Sequence, residues 1–300
     1  MDTYMSLTVY GDNAKDNINR TENLIKELDA RFGVNSKNGE VFALNTSGSL
    51  SEASDGLVEM IACARLLYER TNGAYDITAK PLSELWGFIN GKNRVPSDAE
   101  IGDVLRLVGM EKLTLDGKSV ALASGTQIDL GSCAKGYAAR EAAKLLKTNG
   151  VLCAVLSLGG NVQTVGQKPD GSPFAVAISD PREPSEVLGV LKVGESAIVT
   201  SGTYQRYFES GGNVYHHIFD ATTGKPCDNG LVSVTVVCDD GLWADALSTS
   251  LFLLGKDGAL DYYENYGGFE AIIVSDNGTV TVTDGIKNAF ELTANGYVIS

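Results

Sequence analysis

Near Leu113 the spacing of the apolar residues turns from mostly helical to mostly strand-like, and that change limits the fold more than any other feature. Upstream the spacing is helical. In "NINRTENLIKELDARFG", Ile18, Leu24, Ile25, Leu28 and Phe32 recur at the period of a helix ending near Gly33. A polar loop is expected over "VNSKNGEVFALNTSG". "SEASDGLVEMIACARLLYERTNG" predicts a second amphipathic helix, capped by Ser54 or Asp55, with Gly73 just past its end. Pro81 halts regular structure until a short helical turn. Ser97 and Glu100 then stand at capping-box spacing before another helix.

Downstream the chain reads as strands. "LTLDGKSVAL" predicts a hairpin around Asp116-Gly117. "QIDLGSCAKGYAAREAAKLLKTNG" reads as strand, glycine turn and helix, and "VLCAVLSLGGNVQTVGQ" as strand, Gly-Gly-Asn turn and strand. Four or five strands are expected over 174–237, helices over 242–254 and near 258–266, and closing strands after them. "MDTYMSLTVYG" alternates Tyr4, Ser6, Thr8 and Tyr10 against Met5, Leu7 and Val9, which predicts a first strand. No repeat, low-complexity tract or linker interrupts the pattern. The economical fold is α+β: a single domain, residues 1–300, of helices packed on a largely antiparallel β-sheet core.

Composition excludes several classes of function. A net charge of -14 argues against nucleic acid, whose phosphates need Lys and Arg, and against anionic membrane surfaces. No apolar run is long enough for a transmembrane segment. Cys63, Cys133, Cys153, Cys227 and Cys238 are odd in number and lack a CxxC, so neither a zinc site nor a disulfide framework is indicated. Any metal would take oxygen ligands. The N-terminal stretch shows no export signal.

Three stretches can carry chemistry. In "GLWADALSTSLFLLG", Asp245 and Thr249 share a helical face. Leu247, Leu251, Leu253 and Leu254 leave that helix little solvent-facing surface. A buried carboxylate is costly unless paired or bound to a metal, and Asp with Thr suits Mg²⁺. The plainer reading is an acidic residue favoured by the helix dipole. In "IDLGSCAKGYAAREAAKLL", Gly131, Gly136 and Lys135 surround a strand-to-helix turn able to hold phosphate, although the P-loop spacing is absent. A plain strand–helix connection is the alternative. In "SLGGNVQTVG", Gly159 and Gly160 allow close ligand approach or simply a tight turn. "VTSGTYQRYF" reads as strand and turn.

"VYHHIFDATTGKP" holds the chain's two histidines side by side. On a strand, His216 and His217 point to opposite faces, so at most one looks into any given site.

In order along the chain, "TNGAYDIT…PLSELWGF", "IDLGSCAKGYAAR", "SLGGNV", "VTSGTYQRYF", "YHHIFDATTGKP" and "ADALSTSLFLLG" closely resemble the motifs of the ApbE family, the FAD:protein FMN transferases. The resemblance covers essentially the full chain. It implies an enzyme that uses FAD and Mg²⁺, transfers FMN to a Thr or Ser hydroxyl of an acceptor protein and releases AMP. It implies Mg²⁺ ligation by Asp245, Thr249 and the Ser132 carbonyl. FAD contacts are implied for Met1, Ala74, Tyr75, Asp76, Asp129, Lys135 and Phe219, with Gly159, Gly160 and Asn161 lining the same cleft. His217 aligns with the family histidine, and a base there suits a weak hydroxyl nucleophile.

The resemblance further implies an acceptor bearing an Asp-Gly-x-Ser/Thr-Gly-Ala-Thr-like segment. It also implies an extracytoplasmic lipoprotein whose export signal is absent from this sequence, with a cytoplasmic form as the alternative. Asp2, Phe219, Ala221 and Cys133 depart from the family pattern without removing a ligand or the base. The loop "NSKNGEVFALN" matches poorly, and Asn35 to Asn38 lie where flavin contact is expected. Three other readings stay open: an FAD pyrophosphatase giving FMN and AMP, a non-catalytic FAD-binding protein, and a carbohydrate- or protein-binding domain.

Overall fold

A computed structural model describes residues 3–300 of the protein. The chain divides into two compact units. One comprises the chain up to Glu27 with Cys133–Tyr204 and Gly230–Ser300; the other comprises Leu28–Ser132 and Gln205–Asn229.

The first unit is built on an eight-stranded sheet. Its spatial order is Met5–Val9, Cys153–Leu158, Asn161–Gly166, Ala197–Gly202, Leu231–Cys238, Glu270–Ser275, Thr279–Val282 and Val298–Ile299. Every neighbouring pair is antiparallel except the last. On one face, Phe174, Leu188 and Leu191 of a three-stranded sheet pack against Ile198, Val237, Ile272 and Val274. The other face carries helix Ala134–Thr148, whose Ala139, Ala142 and Leu146 meet Ala154, Leu156 and Val165. Each such Leu or Val contributes roughly 1.5–3 kcal/mol by leaving water. Helix Gly241–Tyr266 covers the same face, because its Ser248 and Thr249 bond Ser201 of the sheet. The register pairs Asn161 with Val199 and Gln163 with Ala197, so alternation turns both polar side chains toward these helices.

The second unit holds helices Glu40–Ser47, Asp55–Arg70, Lys80–Leu85 and Asp98–Leu105, with a three-stranded sheet of Ser49–Leu50, Ser119–Leu122 and Leu113–Asp116. The sequence-expected caps are present. Ser54 accepts from Leu57 N–H, and Ser97 and Glu100 form the reciprocal capping box. Two hairpins, Tyr207–Ser210 with Asn213–His216 and Phe219–Asp220 with Lys225–Pro226, complete it. Phe208, Tyr215 and Phe219 cluster around Trp86, whose indole N–H donates to Gly224 O at 2.9 Å.

Helices packed on largely antiparallel sheets are what the sequence predicts; three details differ. Glu40–Ser47 is helical where a loop was expected. Residues 127–130 form no strand beyond one bridge, Gln127 to Ala79. Eight strands, two of them of only two residues, occupy 174–238 where four or five were expected. The C-terminal helical stretch, Gly241–Tyr266, is two helices parted at Gly255, whose φ of 72° is non-helical, as the sequence predicts.

Candidate active site

In the first unit the site residues gather where two helices begin. Gly136 lies in the first turn of helix Ala134–Thr148, so its N–H has no partner within the helix. Asp245 supplies one: its Oδ2 accepts from Gly136 N–H at 2.7 Å. The cap of Asp245's own helix is a different residue, Asp240, whose side chain accepts from Trp243 N–H. Asp245 is therefore placed beyond the first turn, and the dipole reading of it does not apply. Its role in the fold is to cap the other helix.

This requires the two backbones nearly to touch. A Cβ on Gly136 would lie 2.0 Å from Gly241 O and 2.5 Å from Asp245 Cβ, so only glycine fits. The glycine that sequence reading assigned to phosphate binding has a packing reason of its own.

Asp245 is 3% exposed. Among the described residues its Oδ1 takes no hydrogen bond, which leaves that oxygen open to solvent or a ligand. One turn on, Thr249 Oγ1 lies 3.0 Å from Ser201 Oγ, which also bonds Ser248 Oγ at 2.8 Å. On the adjoining sheet face, Asn161 Nδ2 and Gln163 Oε1 are buried without a hydrogen-bond partner among the described residues. Each such group costs about 1–3 kcal/mol unless water or a ligand meets it. Among the described residues no group of three or more His, Cys, Asp and Glu side chains is placed to hold a metal ion. A cation here would bind one carboxylate together with neutral oxygens, a donor set that fits a hard ion such as Mg²⁺.

Gly159 and Gly160, with φ of 62° and 95°, form the two-residue turn between strands Cys153–Leu158 and Asn161–Gly166. Lys135 is half-buried in the first turn of its helix. Met1 lies outside the described residues.

In the second unit a left-handed turn at Asn72-Gly73 leads into Ala74, Tyr75 and Asp76. Tyr75 is buried, and its hydroxyl bonds Ser132 Oγ at 2.8 Å. Asp76 Oδ1 accepts from the Thr78 N–H and hydroxyl. Burial nevertheless raises the Asp76 carboxyl above its ordinary pKa, with the Thr78 bonds opposing. Asp129 Oδ1 accepts from Gly131 N–H at 2.9 Å. The main chain leading to Asp129 is held by a residue that sequence reading missed. Asn45 donates to Ile128 O at 2.8 Å and accepts from Ile128 N–H at 2.7 Å, imitating a strand partner. The sequence held no signal for it, because that stretch reads as a polar loop, in which an Asn is ordinary.

The two histidines part as alternation requires. His216 is 7% exposed. Its Nε2 lies 2.9 Å from Cys227 O and its Nδ1 accepts from Ile218 N–H, so the ring is a neutral Nε2–H tautomer. Burial lowers its pKa, against the raising influence of the Cys227 carbonyl. His217 is half-exposed, with Nδ1 3.2 Å from Arg206 O. A carbonyl only accepts, so the neutral ring carries its proton on Nδ1 and Nε2 is the basic nitrogen. The ring stands 6.4 Å from that of Phe88. Phe219 is buried in the Trp86 and Phe88 cluster.

Comparison with known proteins identifies relatives of this chain. The profile of the ApbE family matches residues 1–273. The FAD:protein FMN transferase of Haemophilus influenzae is 32% identical over 273 residues, covering 87% of this chain and 79% of its own. That of Klebsiella pneumoniae is 31% identical over 287 residues, covering 93% and 89%. The crystal structure of the ApbE protein of Thermotoga maritima has a TM-score of 0.86 at 30% identity over 94% of both chains. The apo flavinyl transferase ApbE of Pseudomonas stutzeri has a TM-score of 0.82 at 30% identity over 97% of this chain and 94% of that one. With its fold, its motifs and nearly its whole length shared, this chain belongs to the ApbE family.

Proposed function

We propose that this protein transfers FMN from FAD to a Thr or Ser hydroxyl of an acceptor protein and releases AMP. The observation that carries the reading is the His217 ring, half-exposed and held by its Nδ1 against the Arg206 carbonyl. A hydroxyl is a weak nucleophile until a base within hydrogen-bond reach takes its proton, and His217 Nε2 is that base. The acceptor oxygen then bonds the FMN phosphorus, and the pyrophosphate bond breaks with its electron pair on AMP. The proton rests on His217.

Asp245 and Thr249 supply oxygens for Mg²⁺. When bound, the ion neutralises pyrophosphate charge, which an acidic chain otherwise repels. Asn161 Nδ2, a buried donor without a partner, is suited to a ligand oxygen. Asp76 and Asp129, with ordered Thr78 and Gly131 contacts, are acceptors for the hydroxyl and amino groups of FAD.

Mass spectrometry tests the reading. An acceptor peptide with the Asp-Gly-x-Ser/Thr-Gly-Ala-Thr segment, incubated with the protein, FAD and Mg²⁺, gains the mass of one FMN. The gain is absent with EDTA and with His217→Ala. Free FMN and AMP beside an unmodified acceptor would identify a pyrophosphatase instead, and intact FAD a binding protein.

A further inference from the structure

We propose that Asn45 is a positioning residue for FAD: its side-chain amide stands in for a missing strand and holds Asp129 where FAD meets it. The inference rests on the reading of Asp129 as an FAD contact and names the residue through which that contact is kept.

Residues 127–130 set the problem. One side of this extended stretch is paired, through the bridge of Gln127 with Ala79 and the bond from Asp129 N–H to Ile77 O at 2.8 Å. Among the described residues no strand pairs with its other side. Ile128 is wholly buried, so its N–H and C=O need partners that bulk water does not supply. A primary amide is the side-chain group most like a peptide, with donors on one atom and an acceptor beside it. Asn45 donates to Ile128 O at 2.8 Å and accepts from Ile128 N–H at 2.7 Å. Those two partners also fix which amide atom is oxygen and which is nitrogen.

The amide is itself held at both ends of its helix. At the start of Glu40–Ser47, Glu40 accepts from Ser54 N–H at 2.9 Å. At the end, Gly48 N–H donates to Leu44 O at 2.9 Å, and Gly48 O accepts from Leu122 N–H at 2.8 Å. Val41 and Leu44 between them are fully buried. Asn45 is therefore a fixed point against which a less regular stretch is registered.

The group it registers is one residue from a ligand contact. Asp129 follows Ile128 directly, and its Oδ1 accepts from Gly131 N–H at 2.9 Å. That bond ties the carboxylate to its own main chain, so the carboxylate goes where residues 128–131 go. Asp76, the other carboxylate read as an FAD acceptor, adjoins Ile77 on the paired side and is held by Thr78. The bond from Asp129 N–H to Ile77 O links the two acidic stretches along one edge only, which leaves room to hinge. Asn45 closes the opposite edge. Without it the stretch samples positions in which Asp129 misses FAD, and affinity falls with the fraction of molecules still in place.

FAD binding by the full chain, read by flavin fluorescence with Mg²⁺ and no acceptor, tests this. Asn45→Ala should raise the FAD Kd about tenfold, the effect of keeping the segment in place in one molecule in ten. Asn45→Asp is nearly the same size and keeps the acceptor for Ile128 N–H, but sets a second oxygen against Ile128 O. It should raise the Kd at least about threefold. Both variants should also unfold at lower denaturant, which any structural Asn would show.

A double-mutant cycle with Asp129→Ala separates the two roles. Asp129→Ala alone should weaken FAD binding about tenfold or more. In that background Asn45→Ala should change the Kd by less than about threefold, because the group it positions is gone. It should lower the denaturation midpoint as much as in the parent. If the alanine variant does not fold, Asn45→Asp carries the same cycle. An equal rise in Kd in both backgrounds, or no rise in the parent, overturns the proposal, as does an Asp129→Ala variant that binds FAD like the parent. The transfer reading fails separately: a parent protein that binds FAD but labels no acceptor peptide refutes it, and the binding cycle still decides the role of Asn45.

Discussion

Asp245 reaches its position through the core of the first unit, whereas His217 reaches its own through the main chain of a surface hairpin in the second. The carboxylate depends on two helix starts and a glycine contact, all buried. The imidazole rests against the Arg206 carbonyl and beside the Phe88 ring and stays half-exposed. The difference follows from what each group must do. A buried charge needs fixed donors around it, because no water relaxes to stabilise it. A base that serves a large partner must be reachable, and only its tautomer has to be fixed. The same contrast separates the histidines, since His216 spends both ring nitrogens on the fold.

The largest effect that would break this comparison is expected at Gly136. Gly136→Ala puts a methyl 2.0 Å from a backbone oxygen that cannot swing aside. It should cost at least about 3 kcal/mol, read as a lower denaturation midpoint. A variant as stable as the parent would mean that the helix starts are less tightly apposed than described.

Asp245 separates the roles of its two oxygens. Asp245→Asn keeps an acceptor for Gly136 N–H and removes the charge, while Asp245→Ala removes both. Both should lower Mg²⁺-dependent transfer by about two orders of magnitude or more, the scale of a lost charge-stabilising group. Only the alanine variant should also lose about 1–2 kcal/mol of stability, the value of a cap. Full activity in either would remove the metal role; equal stability would remove the capping role.

The smallest effect concerns pH. Burial lowers the His216 pKa, so the folded protein resists a proton that the unfolded chain accepts near its ordinary value of about 6.5. The resulting stability is present above that value and lost as pH falls through it toward the folded pKa. Between about pH 7 and pH 5 the thermal midpoint should fall less in His216→Gln than in the parent protein. An identical fall would place the acid sensitivity elsewhere.

Local features were legible from the sequence. Ser54 and the Ser97–Glu100 box satisfy their helix starts with neighbours three residues away, so spacing alone reveals them. The alternation that parts His216 from His217 is equally local. Helix Glu40–Ser47 was missed because Gly39 offers no side-chain cap and Asn45 serves a distant backbone. Residues 127–130 read as a strand because their apolar pattern is one. Their partners are instead an Asn side chain and the Ile77 carbonyl, which takes Asp129 N–H. At Asp245 the residue was legible and its setting was not. The apolar helix around it predicted burial, but its partner Gly136 is 109 positions away. Nothing in the spacing shows that two helix starts meet there.

The strand Met5–Val9 pairs only with Cys153–Leu158, and the residues between them form most of the second unit. At the ribosome this strand therefore emerges well over a hundred residues ahead of its partner. Synthesis at roughly 5–20 residues per second leaves it waiting for many seconds with its backbone unpaired. Its alternation of Tyr4, Ser6, Thr8 and Tyr10 with Met5, Leu7 and Val9 exposes one sticky face throughout that interval. The second unit's long segment, Leu28–Ser132, is complete before that partner exists and can begin to fold first. The strand Val298–Ile299 arrives after every other strand of the first unit's sheet. The nascent protein thus has both segments of its second unit before the last strands of the sheet arrive, a delay in which an unpaired strand is open to aggregation and chaperone capture.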